Sequence, residues 1–230
     1  SSAISPLFTN NLSVSNMVRI IGVDSFGSSI SSGDYNRDGF TDLLVGSNAA
    51  QSGSYDGRAY LIWGGPGVWN ESTTMYVSNM TSVGASSVIV FKGEPSSYLG
   101  DSISNVGDVN LDGYEDFLIG ATQATVNSAP RAGRAYLIFG KPSSSWNKPS
   151  YTVSGIMNPV GVIVDGEAAS DWLGNSVSGG IDFNADGMMD WIVGAVYQGS
   201  GSAGATYVVF GSKSYPDEID STFFDGTNGF

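Results

Sequence analysis

Short apolar runs, each closed by a glycine, punctuate a chain that is otherwise polar. Leu43-Leu44-Val45-Gly46, Phe117-Leu118-Ile119-Gly120 and Trp191-Ile192-Val193-Gly194 form one series. Ala59-Tyr60-Leu61-Ile62-Trp63-Gly64, Ala135-Tyr136-Leu137-Ile138-Phe139-Gly140 and Ala205-Thr206-Tyr207-Val208-Val209-Phe210-Gly211 form a second. Val88-Ile89-Val90-Phe91 and Gly161-Val162-Ile163-Val164-Asp165 begin a third, for which Ser221–Asp225 is read as the last copy. The runs are too short for helices. They are rich in β-branched and aromatic residues and bounded by Gly, Asn and Asp, so they predict strands. Their unbroken apolar character predicts strands covered on both faces. No stretch sustains a 3.6-residue period.

Between the strand at Ser28–Ser32 and the first series lies a polar loop that recurs with the same spacing. It opens at Asp34, Asp108 and Asp182, a period of 74 residues. One unit thus holds four strands, at Ser28–Ser32, Asp42–Gly46, Ala59–Trp63 and Val88–Phe91 in the first copy. A four-stranded sheet repeated in this way is a β-propeller blade, and the predicted class is all-β. Blades are expected over 23–94, 95–167 and 168–226. Residues 1–22 are expected to hold the outer strand of a preceding blade, with Val18–Gly22 as its core. Val14-Ser15-Asn16-Met17 recurs word for word as Val77-Ser78-Asn79-Met80. Residues 227–230 are expected to begin a following blade, with Phe230 standing where Phe26, Leu99 and Leu173 stand. The first copy has one residue fewer between Gly27 and Asp34 than its mates have, which predicts an altered bulge there.

The loop reads Asp-x-Asn-x-Asp-Gly-x-x-Asp. Side-chain oxygens at positions 1, 3, 5 and 9 can converge on one hard cation, with the position 7 carbonyl completing the shell. The candidate ligands are Asp34, Asn36, Asp38, Phe40 and Asp42; then Asp108, Asn110, Asp112, Tyr114 and Asp116; then Asp182, Asn184, Asp186, Met188 and Asp190. Oxygen-only, carboxylate-rich coordination suits Ca²⁺, giving three expected sites. Gly39, Gly113 and Gly187 stand where a positive φ is needed. Asp, Asn and Gly also gather in ordinary turns, but three copies with every ligand intact separate this loop from a chance turn. An EF-hand is excluded, because position 12 is Val45, Ile119 or Val193 instead of Glu and the flanks are strands.

These motifs resemble a known family. Phe26-Gly27 through Asp42-Leu43-Leu44-Val45-Gly46 and Leu99-Gly100 through Asp116-Phe117-Leu118-Ile119-Gly120 are similar to FG-GAP repeats, the units of the integrin α-subunit propeller. The resemblance covers roughly residues 20–226. It implies seven blades in a closed propeller, Ca²⁺ in hairpin loops between first and second strands, extracellular or cell-surface residence, and a role in adhesion. Three units are too few to close such a ring. The expected partners are therefore another protein, or further copies or blades of this chain.

Composition narrows the remaining options. The net charge of −13 argues against nucleic acid and anionic membrane surfaces. Nine of the 22 acidic residues are the loop aspartates, and three divalent cations would bring −13 to −7. The chain has no Cys and no His, which excludes thiol and imidazole catalysis and Cys/His zinc sites. No apolar run is long enough to span a bilayer. Gly199-Ser200-Gly201-Ser202-Ala203-Gly204 matches a dinucleotide fingerprint but precedes a strand, so it fails its context. No catalytic residue is assigned. A second reading makes the chain the non-catalytic propeller region of a secreted hydrolase or phospholipase.

Three sequons, at Asn11, Asn70 and Asn79, are candidate glycosylation sites, at a frequency that composition alone would produce. Arg37-Asp38-Gly39 belongs to a metal loop, and no Arg-Gly-Asp sequence occurs. Arg58 and Arg134 are read as strand-edge or inter-blade ion-pair partners of the acidic loops. Trp63, Phe139 and Phe210 are expected between blades, and Trp69, Trp146 and Tyr215 along the connection to the outer strand. A glycan ligand on these aromatics is the alternative.

Overall fold

The computed structural model describes residues 18–49, 55–69, 74–78, 87–156, 159–220, 223 and 229. The fold is all-β, with the strands stacked as propeller blades. The first blade contains β2 (Ile30–Gly33), β3 (Asp42–Ser47), β4 (Arg58–Ile62) and β6 (Val88–Lys92). β1 (Arg19–Ile21) precedes it, and β5 (Thr74–Tyr76) lies in its last connection. The second blade contains β7 (Leu99–Gly107), β8 (Asp116–Ala121), β9 (Arg134–Ile138) and β11 (Gly161–Asp165), with β10 (Ser150–Thr152) in the equivalent connection. The third contains β12 (Leu173–Ile181), β13 (Asp190–Ala195) and β14 (Ala205–Val209), followed by β15 (Glu218–Ile219). Every neighbouring pair within a blade is antiparallel.

The apolar runs are continuous because alternate side chains enter different cores. Leu44, Leu61, Ile89 and Phe91 face the second blade and meet Phe117, Ile119, Tyr136 and Ile138. Val45, Tyr60, Ile62, Val88 and Val90 face the other way, with Ile20 and Phe26 against them. Leu118, Leu137, Val162 and Val164 of the second blade face Trp191, Val193 and Val209 of the third. Trp63 and Phe139 are buried at these interfaces as expected, and so are Trp146 and Tyr215.

The first copy does lack a bulge. β2 pairs with β3 in unbroken register from Ile30 to Gly33. β7 and β12 each shift register just before the loop, between Asn105 and Gly107 and between Gly179 and Ile181.

Two features depart from the sequence reading. The first is a fifth strand in the sheets of the first and second blades. β10, from the second repeat, runs parallel to β6 of the first blade. β15, from the third repeat, runs parallel to β11 of the second. β5 of the first repeat does the same to β1, and together they form a two-stranded sheet. The pairing of β1 follows the same rule as β6 and β11, the outer strands of their blades. The second departure is the last strand of the third repeat. Gly229 bridges Val209 antiparallel, in the register that Val88 holds on Ile62 and Gly161 holds on Ile138. A Cβ on Gly229 would lie 2.1 Å from the Val208 carbonyl oxygen, and one on Gly161 would lie 2.2 Å from that of Leu137. Gly229 therefore stands at the fourth-strand position of this repeat, and of Ser221–Asp225 only Phe223 lies among the described residues. Asn11, Asn70, Asn79 and Phe230 lie outside the described residues.

Candidate metal centre

Each candidate loop joins the first two strands of its blade, so all three stand at the same end of the stack. Their hydrogen bonds agree copy by copy. In the first loop the Asp38 N–H donates to both Asp34 Oδ1 and Asn36 Oδ1, each at 3.0 Å. The Gly39 N–H donates to Asp34 Oδ2 at 2.9 Å, and the Phe40 N–H to Asp38 Oδ1 at 2.9 Å. In the second loop the Asp112, Gly113 and Tyr114 N–H groups donate to the same set on Asp108, Asn110 and Asp112. In the third the donors are Asp186, Gly187 and Met188. Positions 1, 3 and 5 are thereby gathered on one turn of backbone. The glycine at position 6 has φ of 86°, 92° and 89° in the three copies. Position 4 is also left-handed, at Arg37, Leu111 and Ala185, a feature that the residue types there do not signal.

Position 9 has a different environment. Asp42, Asp116 and Asp190 are buried beneath the loop. One carboxylate oxygen of each accepts the N–H of loop position 2, from Tyr35, Val109 or Phe183, at 2.7–3.0 Å. The other accepts the N–H of Gly64, Gly140 or Gly211, the glycine that closes the third strand, at 2.8–2.9 Å. That glycine is the part of the centre the spacing alone does not reveal. Its recurrence after every second-series run is the signal that could have found it. Burial pushes the Asp42 carboxyl up to about 6, against its two N–H donors, and Asp38 and Asp34 push it the same way. Burial likewise pushes Asp116 up to about 8, with Asp112 and Asp108 adding to it.

Adjacent loops are tied together. Glu115 of the second loop accepts the Asp34 N–H at 3.0 Å and the Asn105 side-chain amide at 2.8 Å. The Tyr35 carbonyl accepts the Lys141 N–H, and the Val109 carbonyl accepts the Ser212 N–H, both at 3.0 Å. Tyr35 and Val109 are fully buried against the following blade, with Tyr35 edge-on to Phe117 at 4.9 Å. Phe183, at the same position in the third loop, is 48% exposed.

Among the described residues, no group of three or more His, Cys, Asp or Glu side chains is placed so as to hold a metal ion. The loop carboxylates accept backbone N–H groups instead. The donor chemistry nevertheless fits a hard cation. Every side-chain donor is oxygen, and three carboxylates share each short loop. Arg134 makes an inter-blade ion pair as expected, but with other partners. Arg134 pairs with Asp165 (Nε to Oδ1, 2.5 Å) and with Glu94 of the first blade (3.1 Å), not with the loops.

Residues 26–62 and 99–138 match the FG-GAP repeat family. This chain carries FG-GAP repeats. The acidic loop of its third copy has the same hydrogen bonds as the loops of the two FG-GAP segments that match. The chain is 30% identical to integrin alpha-PS2 of Drosophila melanogaster over 199 residues, covering 82% of this chain and 13% of that protein. It is 28% identical to integrin alpha-5 of Xenopus laevis over 170 residues, covering 74% and 14%. It is 28% identical to integrin alpha pat-2 of Caenorhabditis elegans over 214 residues, covering 89% and 15%. The FG-GAP region described by this chain thus spans about a seventh of the length of these relatives.

Proposed function

We propose that the chain is a calcium-stabilised FG-GAP propeller segment serving in adhesion, protein binding or surface assembly outside the cell. The observation that supports this most is the copy-by-copy agreement of three acidic loops at one end of the stack. In this reading Asp34, Asn36, Asp38 and Asp42 with the Phe40 carbonyl hold one ion. Asp108, Asn110, Asp112 and Asp116 with the Tyr114 carbonyl hold the second. Asp182, Asn184, Asp186 and Asp190 with the Met188 carbonyl hold the third. The ion supplies the positive charge that three crowded carboxylates lack. The chain's own residues position the turn, through the N–H groups of positions 5 to 7, and brace position 9 from the third strand. The ion's role is structural, and catalysis is assigned to no residue. Residues 23–94, 95–167 and 168–226 serve as successive blades, with Gly229 added to the last. Asn11, Asn70 and Asn79 are available for glycan in such a compartment.

Calorimetric titration with Ca²⁺, alongside thermal melts in Ca²⁺ and in EDTA, tests this reading. Binding to the folded state alone adds about 2.7 kcal/mol per site at a hundredfold excess over Kd. Asp34→Asn, Asp108→Asn and Asp182→Asn should each remove one equivalent. Superimposable melts and no binding heat would reject the proposal.

A further inference from the structure

The first and second repeats carry the same arginine in opposite electrostatic settings. Arg134 of β9 lies opposite Asp165 of β11 in the strand register. Arg58 of β4 lies opposite Lys92 of β6. Glu94, which holds Arg134 from the preceding blade, follows Gly93 at the end of an outer strand. Val23 follows Gly22 in the same way after β1. On β15, Glu218 sits beside Ile163 and interacts with Asp165, whereas on β10 the residue beside Val90 is Ser150. Three carboxylates around Arg134 thus become Val23, Lys92 and Ser150 around Arg58. In the third repeat the arginine itself is gone, replaced by Ala205 opposite Ala195, and Glu167 accepts the Tyr207 hydroxyl instead.

The first repeat has kept the cation, lost the three carboxylates that surround Arg134 and gained a second cation. Like charges directly opposite on neighbouring strands are destabilising, and neither Arg58 nor Lys92 makes an ion pair among the described residues. Both line a cavity of about 490 Å³ between β1, β5 and the first blade. Ile21, Tyr60, Tyr76 and Val90 supply its other walls, and Ser150 lies at its edge. The cavity is therefore mainly apolar, with Arg58 and Lys92 as the two cationic residues of its lining. A guanidinium fork matches a carboxylate in two parallel hydrogen bonds. In a chain of net charge −13 a single carboxylate is tolerated where a polyanion is repelled.

We infer that this cavity binds an acidic side chain of a partner protein, with Arg58 and Lys92 holding the carboxylate that Asp165 and Glu94 supply to Arg134 within the chain. The inference goes beyond the calcium reading and is independent of it. The probes are the peptide acetyl-Gly-Glu-Gly-amide, its Gln analogue, and inorganic sulfate, each titrated at low ionic strength and followed by NMR shifts of Tyr60, Tyr76 and Val90. The Glu peptide should bind at least about tenfold more tightly than the Gln peptide, since only it offers a charged acceptor. Arg58→Ala should abolish that preference. Lys92→Asp, which rebuilds the second repeat's internal pair, should abolish it as well and raise the melting temperature, so a poorly folding Arg58 variant leaves the test intact. Equal binding of the two peptides, no binding of either, tighter binding of sulfate, or an unaffected Lys92→Asp protein would each overturn the proposal. Repeating the titration in EDTA separates it from the calcium sites, because the preference should survive chelation.

Discussion

Gly46, Gly120 and Gly194 occupy one register position in three sheets, but their surroundings differ. A Cβ on Gly46 would lie 2.2 Å from the Gly100 carbonyl oxygen, and one on Gly120 would lie 2.1 Å from that of Gly174. On Gly194 the nearest obstacle is the Ser176 hydroxyl at 2.5 Å, a side chain that can rotate away. Gly120→Ala should therefore force two blades apart and cost about 3 kcal/mol, whereas Gly194→Ala should cost about 1 kcal/mol or less. Urea unfolding of the two variants measures the difference. Asp116 offers a similar contrast with Asp108. Both accept two backbone N–H groups, but Asp116 is fully buried and the Asp108 contacts are exposed or partly so. Asp116→Ala orphans two buried donors and should cost about 2–4 kcal/mol even in EDTA. Asp108→Asn should cost little in EDTA and show its effect only as lost calcium stabilisation. Equal losses for the two in chelator would mean that position 9 is not the structural brace described above.

At the scale of elements, the strands are held by more than their own sheets. Arg134 reaches from β9 to Asp165 on β11 and to Glu94 after β6, with its side chain only 16% exposed. Arg134→Ala leaves Asp165 and Glu94 without their counter-charge and should cost about 2–4 kcal/mol. A double-mutant cycle with Glu94→Ala separates the inter-blade share, and a coupling near zero would show that the contact to Glu94 contributes nothing. Neither the partners of Arg134 nor the fifth strands could be read from the sequence. The second and third strands of the first two blades were legible because both faces are buried, which leaves Leu43-Leu44-Val45 or Ala135-Tyr136-Leu137-Ile138 without a polar position. β5, β10 and β15 are two or three residues long, partly exposed, and paired with a different repeat. Nothing in Ser150-Tyr151-Thr152 marks it as a strand until β6 offers its edge. The loop's turn was legible at the acidic positions and the position 6 glycine, but not in the left-handed backbone of position 4. Its brace was not, because Gly64, Gly140 and Gly211 lie 21 to 24 residues away and act through backbone N–H groups that have no residue signature.

For the whole molecule, the two faces of the stack are unequal. Tyr35 and Val109 plug the following blade, and Phe183 offers the same plug to solvent, with Ile181 exposed beside it at 53%. Tyr35→Ala should cost about 3–5 kcal/mol as a large core deletion, whereas Phe183→Asp should barely change stability. Phe183→Asp should instead suppress concentration-dependent association in sedimentation velocity; a wild-type chain that stays monomeric at high concentration would remove that role from Phe183. The fifth strands also mean that the unit of sequence and the unit of structure are out of phase. Each 74-residue period seals the sheet before it and depends on the next to seal its own. Folding should then be strongly coupled between neighbours, with partly folded arrays scarce at equilibrium, as in other linear repeats with large interface terms. The same offset bears on how such a gene can grow. A tandem duplication of one full period, cut at any phase, brings both an outer edge and the strand that covers the edge before it. The array can lengthen by whole periods without adding a bare strand to the one that its last unit already leaves uncovered.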